Sequence, residues 1–262
     1  MKLIRHRLDA VERWTLDDPA TRNALDDTLV GELLAACADA AGDTALRFVV
    51  LQGSGGAFCA GGHLGSFASA VGQPWGDPWQ PDPLLAANRR FGDLLHALTA
   101  LPQVLIAAVD GPAFAGGFGL VCCADFVVAT PRATFATPEV TLGIAPAQIA
   151  PFVWRRLGDA TARQMLLEAR RFTAAEAVVI GLVNELADHD LAATTDALIA
   201  HLRRSAPNAV AATKRLLDGL ADHAVKDVRD AAAQAFATSL RSDEAREGLD
   251  AHANKRRPRW AT

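Results

Sequence analysis

Residues 104–146, VLIAAVDGPAFAGGFGLVCCADFVVATPRATFATPEVTLGIAP, hold the groups best suited to chemistry. An apolar β-branched run, Val104 to Val109, ends at the turn signal Asp110-Gly111-Pro112. Ala115-Gly116-Gly117 then opens a second apolar run, Phe118 to Cys123. Glycines at a helix start let another group approach the backbone, and the first amides of a helix have no partner within it. Such amides, at the positive end of the helix, suit a developing negative charge. Further on, Glu139 follows Pro138 as a lone carboxylate in uncharged company. An anion-binding backbone near one isolated acid fits enolate chemistry, with the amides holding the oxyanion and the acid moving the proton.

The flanking elements must position these groups. Residues 2–8 and 11–17 alternate as two strands, and an amphipathic helix runs from about Asp26 to Ala41 with Leu29, Leu33, Leu34, Cys37 and Ala41 on one face. RFVVLQG (47–53) reads as a buried strand leading into the glycine-rich loop GSGGAFCAGG, with a helix starting near Leu64. That loop lacks a dinucleotide fingerprint, because Phe58 stands where the third glycine belongs. Residues 71–83 are a proline-rich loop in which Trp75 and Trp79 are expected to pack, and a helix follows from Leu84 to about Leu101. Short strands are expected at 125–129, 133–135 and 183–187. Helices are expected at 147–157, 159–168, 173–180, 190–204, 206–220, 224–240 and 243–253. The order strand, glycine-rich joint, helix occurs in both 46–70 and 104–123.

Composition narrows the class. At 262 residues the chain can bury a real core, and its net charge of −4 gives no reason to expect nucleic acid or an anionic membrane surface as a partner. Cys37, Cys59, Cys122 and Cys123 have no metal-ligand spacing and read as buried or free thiols in a reducing compartment. Charges interrupt the first fourteen residues and every long apolar run, so neither a signal peptide nor a membrane span is expected, and a cytoplasmic protein is. With no tyrosine, the chain lacks the catalytic Tyr of short-chain dehydrogenases.

Three segments carry a family resemblance. FVVLQGSGGAFCAGGHLGSF resembles the crotonase superfamily segment V-L-x-G-x-G-x-x-F-C-A-G-x-D-L. PQVLIAAVDGPAFAGGFGLVCCADFVVAT resembles P-V-I-A-A-V-x-G-x-A-x-G-G-G followed by an apolar helix, C-D and an apolar strand. ATFATPEVTLGIAPA resembles A-x-F-x-x-P-E-V-x-L-G-x-x-P. TRNAL near the start and EAREGLDAHANKRRPRW near the end also fit, so the likeness spans nearly the whole chain in the right order. It implies an α/β fold, a crotonase-like spiral of ββα turns with a helical C-terminal region. Residues 1–200 would form the spiral core with the acyl-CoA site, and 201–262 a helical oligomerisation region of a homotrimer or dimer of trimers.

The same resemblance implies an acyl-CoA thioester as substrate, with no metal and no dissociable cofactor, coenzyme A being part of the substrate. By position, the oxyanion donors would be Gly62 and Gly116, and Glu139 the acid/base. Removal of one such donor typically costs about 3–4 kcal/mol of transition-state stabilisation. Arg22, Ala24, Ala60, Gly61, His63, Leu64, Gly117, Gly119 and Lys255 fall at substrate-binding positions. Arg22 would lie near the nucleotide end, and Lys255, in the KRRPR run, within reach of a neighbouring subunit's ligand. His63 stands where the family most often has Asp, and reads as a surface or hydrogen-bonded histidine.

One departure bears on the reaction. Hydratases of this family carry a second glutamate three residues after the second oxyanion glycine, where this chain has Gly119. Hydration of a 2-enoyl-CoA needs a base for the water and a proton for Cα, most simply from two groups. A Δ3,Δ2-enoyl-CoA isomerase needs one carboxylate only. GGFGL with PAQIAPFVWRRLG, in contrast, resembles the isohexenylglutaconyl-CoA and methylglutaconyl-CoA hydratase branch, where one glutamate can serve both steps. The expectation is an enoyl-CoA hydratase acting on a 2-enoyl thioester such as a branched glutaconyl-CoA. The alternatives are the isomerase and a non-catalytic acyl-CoA-binding homologue.

Overall fold

In the computed structural model, which describes residues 1–63, 65, 71–73, 76, 80, 82–225, 229–256 and 258, the apolar runs form a central sheet. Its spatial order is β1 (Leu3–Leu8), β2 (Val11–Leu16), β3 (Phe48–Gly53), β4 (Val104–Val109), β6 (Phe126–Ala129) and β9 (Glu185–Leu186). β1 and β2 pair antiparallel and all later neighbours pair parallel. β4 is buried at every residue, which is why it reads as a continuous apolar run rather than an alternating one. A second sheet joins β5 (Pro112–Phe114), β7 (Thr134–Ala136) and β8 (Phe172–Thr173).

The two sheets make the ββα repeat. β4 passes through β5 into α3 (Gly116–Cys123), and β6 passes through β7 into a 3-10 turn, Pro138–Leu142. β3 leads to Cys59, which bridges Ala113 of β5 in parallel. The α/β spiral expected from the motifs is therefore present. The structure differs from the sequence reading in two strands and in helix bounds, α4 (Ala150–Glu168) beginning at Ala150 rather than 147 and α7 (Pro207–Val225) running on to Val225 rather than 220. Residues 112–114 form β5 although Pro112 belongs to the turn signal Asp110-Gly111-Pro112, because Phe58 and Cys59 both donate to the Pro112 carbonyl and Pro112 pairs with Thr134. β8 falls where the sequence suggests a helix beginning at 173, and it exists because Phe172 and Thr173 pair with Phe135 and Thr134 of β7.

The helices are α1 (Asp27–Gly42), α2 (Pro83–Thr99), α3, α4 (Ala150–Glu168), α5 (Ala174–Val179), α6 (Leu191–Leu202), α7 (Pro207–Val225), α8 (Arg229–Leu240) and α9 (Asp243–Ala253). Asp26 caps α1 by accepting from Leu29 N, and Asp82 caps α2 by accepting from Leu84 N and Leu85 N. The expected break at 158 is real: Gly158 has φ 72° and ψ 169°, so α4 is two helical segments meeting at a glycine. One core lies between the large sheet and α1, α2 and α3, and a smaller one lies under α6 on the opposite face. α8 and α9 form a third cluster in which Ala237, Leu240 and Ala245 pack with Leu84 and Ile144. The expected helix start at Leu64 and the packing of Trp75 and Trp79 lie outside the described residues.

Candidate active site

The first candidate amide is held by a short backbone ladder. Ala60 N donates to Arg22 O (3.0 Å), Leu25 N to Gly61 O (2.8 Å) and His63 N to Leu25 O (3.0 Å), so TRNAL runs parallel beside the AGGH segment. In a parallel bridge of this kind the flanking groups of Gly62 are used and its own N–H points to the other side. That side faces α3: a Cβ built on Gly116 would lie 3.7 Å from Gly62 N. Among the described residues, neither amide has a hydrogen-bond acceptor. Gly116 N is the first amide of α3 and has no acceptor within the helix.

Close contact makes the glycines obligatory here. Gly61 has φ 94°, and a Cβ on it would meet Ala115 Cβ at 2.7 Å and Phe114 O at 2.8 Å. A Cβ on Gly117 would meet Cys59 O at 2.4 Å. Ala115, with φ 50° and ψ −120°, turns the chain sharply from β5 into α3 and costs backbone strain that a glycine would avoid. Its N–H donates to Ala136 O (2.9 Å), which fixes the α3 start against the end of β7.

Glu139 stands three residues beyond Ala136, on the 3-10 turn. Thr137, fully buried, ties the turn to α4 by donating to Met165 O at 2.6 Å. Ile144 N closes it on Glu139 O at 3.0 Å, helped by Gly143 at φ 71°. Glu139 is half-buried as a residue, but its Oε2 is sealed from solvent and has no hydrogen-bond partner. Burial pushes its carboxyl from 4.5 up to about 7, against a smaller lowering by its own backbone amide. A carboxyl near neutrality can both take and return a proton at physiological pH.

The remaining residues fall into two groups. Ala24, Ala60, Gly61, Gly117 and Gly119 lie in or beside the ladder and α3, within the same construction as the two amides. Arg22 and Lys255 are exposed, with φ 57° and 51°, and no described contact joins their side chains to the glycines or to Glu139. His63 is exposed, its ring over Gly65, and Leu64 lies outside the described residues. The four cysteines are buried and free, and burial pushes the Cys59 thiol up to about 12, so none is suited to act as a nucleophile. Among the described residues no cluster of His, Cys, Asp or Glu could hold a metal ion, and no helix is long and apolar enough to cross a membrane.

Two supporting residues escaped the sequence reading. Asn23, fully buried, donates through Nδ2 to Ser54 O (3.0 Å) and Ala57 O (2.9 Å) and accepts from Asp18 N (2.8 Å). It locks TRNAL to the glycine-rich loop; a polar residue inside a paired motif was the only available signal. Ile149 lies against Gly119, with its Cγ2 2.4 Å from where a Cβ would stand. Nothing in the spacing announces that contact.

Comparison with known proteins shows the family of the chain. The family model for enoyl-CoA hydratase/isomerase matches residues 7–262. The 2,3-dehydroadipyl-CoA hydratase of Escherichia coli is 32% identical over 98% of this chain and 97% of its own. An enoyl-CoA hydratase from Mycobacterium avium superposes with a TM-score of 0.87 at 35% identity, covering 99% of this chain and 98% of that one. Pseudomonas aeruginosa AtuE is 41% identical over 100% of both chains, with a TM-score of 0.78. The chain belongs to the enoyl-CoA hydratase/isomerase family, the crotonase superfamily that its motifs resemble.

Proposed function

We propose that this chain adds water across the double bond of a 2-enoyl-CoA thioester, with Glu139 as its single acid/base. The observation that carries the reading is the Glu139 carboxyl, with Oε2 sealed and unpartnered and its titration pushed up to about 7, on the turn that follows the strand bonded to Ala115. Gly62 N and Gly116 N hold the thioester oxygen. Water attacks C3 as one of its protons passes to Glu139, and the electron pair of the double bond moves onto the thioester as an enolate. Glu139 then returns that proton to C2, so H and OH are added and the carboxylate is regenerated. The resemblance of GGFGL and PAQIAPFVWRRLG to the glutaconyl-CoA hydratases supports a branched glutaconyl-CoA as substrate. Assembly as a trimer or dimer of trimers through residues 201–262 goes with this reading.

A specific observation favours a second reaction. Ile149 fills the space beside Gly119, so the second acid of the two-glutamate hydratases has an apolar replacement. A Δ3,Δ2 isomerisation needs only one carboxylate, which takes a proton from C2 and delivers it to C4. Incubation with crotonyl-CoA, a 3-enoyl-CoA and a branched glutaconyl-CoA, followed by separation of products, tests both. A 3-hydroxyacyl-CoA supports hydration, a double-bond shift alone supports isomerisation, and binding without turnover refutes both.

A further inference from the structure

One face of α2 lies along the segment that leaves the Glu139 turn. Leu84 shares a buried cluster with Ile144, and a Cβ on Gly92 would stand 2.4 Å from Gln148 Oε1. Phe91 Cζ comes within 3.2 Å of the Cβ position of Gly116, and Leu95 Cδ2 within 3.7 Å of that of Gly119. Helical spacing places Asn88 on this same face, one turn from Leu84 on one side and from Phe91 and Gly92 on the other. Asn88 therefore sits between the Ile144 contact and the Gln148 contact, next to the aromatic ring that covers the oxyanion glycine. It is only 8% exposed, and its Oδ1 has no hydrogen-bond partner. Gln148, itself 5% exposed, lies against the same face at Gly92.

A buried carboxamide oxygen without a donor is costly in the free protein, and a ligand that brings the donor removes that cost. We propose that Asn88 is the polar subsite of the acyl pocket and reads an oxygen substituent on the acyl chain. A hydroxyl gives its proton to Oδ1, and a half-turn of the amide presents Nδ2–H to a carboxylate instead. A plain alkyl chain leaves Oδ1 unpaired and is selected against. This assignment rests on the acyl-CoA reading of the site given above, but not on which reaction the site performs.

Calorimetric titration with saturated acyl-CoA thioesters of equal length, ending in methyl, hydroxyl or carboxylate, tests the subsite without any turnover. The unaltered protein should bind at least one oxygen-bearing thioester about tenfold more tightly than the methyl-ended one, the worth of one good hydrogen bond. The tighter of the two identifies the group that is read. Asn88→Leu should abolish the preference while still binding the methyl-ended thioester, with Asn88→Ala serving if the leucine cannot be packed. Equal binding of all three by the unaltered protein, or a preference that survives in both variants, would overturn the proposal. Failure to bind any acyl-CoA would instead refute the acyl-CoA reading itself, and binding with no hydration of the matching 2-enoyl thioester would refute only the reaction.

Discussion

Ile149 Cγ2 occupies the space that any side chain at position 119 would need, standing 2.4 Å from the Cβ position of Gly119. Ile149 is itself 2% exposed and packed in the main core, so it has little room to yield. The glycine and the isoleucine are thus one feature: an acid is absent from α3 and an apolar side chain closes the gap.

Gly119→Glu alone should therefore overpack the core, at about 1–3 kcal/mol of stability, and leave hydration no faster. Adding Ile149→Ala makes room for the new carboxylate. The double variant should hydrate a 2-enoyl-CoA faster than Gly119→Glu, and steady-state kinetics on the pair checks this. No gain in the double variant would mean that a second acid is not what limits the rate.

The buried carboxyl of Glu139 gives a pH dependence with a definite sign. Water needs a base, so kcat/KM for hydration should rise through about pH 7 and level off above it. Stability runs the other way. The folded carboxyl titrates at about 7 and the unfolded one at 4.5, so between those values the folded state binds more protons. Stability should fall as pH rises across that window, by about 3 kcal/mol in all, and stay level above it. Denaturant unfolding at pH 5 and 8 should show this loss in the unaltered protein and not in Glu139→Gln.

The C-terminal helix supports the catalytic turn through Gly248. A Cβ there would meet Leu142 O at 2.4 Å and Leu142 C at 2.5 Å, at the last residue of the turn that carries Glu139. Gly248→Ala must push α9 and the turn apart and admit water to the carboxyl. The expected result is a lower kcat and a pH midpoint moved below 7, measured from the pH profile of the variant. An unchanged midpoint would show that α9 does not govern the burial of Glu139.

Much of this arrangement was legible in the sequence, for physical reasons. Buried parallel strands such as Val104–Val109 announce themselves as apolar runs, and glycines at positions 61 and 117 mark places where two backbones nearly touch. What stayed hidden depends on contacts between distant segments. β5 exists because Pro112 finds Phe58, Cys59 and Thr134, none of which is near it in the chain or implied by its own turn-like sequence. The burial of Asn23 and Asn88 and the seating of Ile149 on Gly119 likewise come from packing, which residue spacing does not encode.

Replacement of Glu139 by Gln tests the account most directly, because the amide keeps the shape of the side chain and removes its proton chemistry. With a 2-enoyl-CoA as substrate, kcat should fall by about 10²–10⁴-fold while circular dichroism and acyl-CoA binding stay unchanged. Hydration by Glu139→Gln at the rate of the unaltered protein would contradict the account.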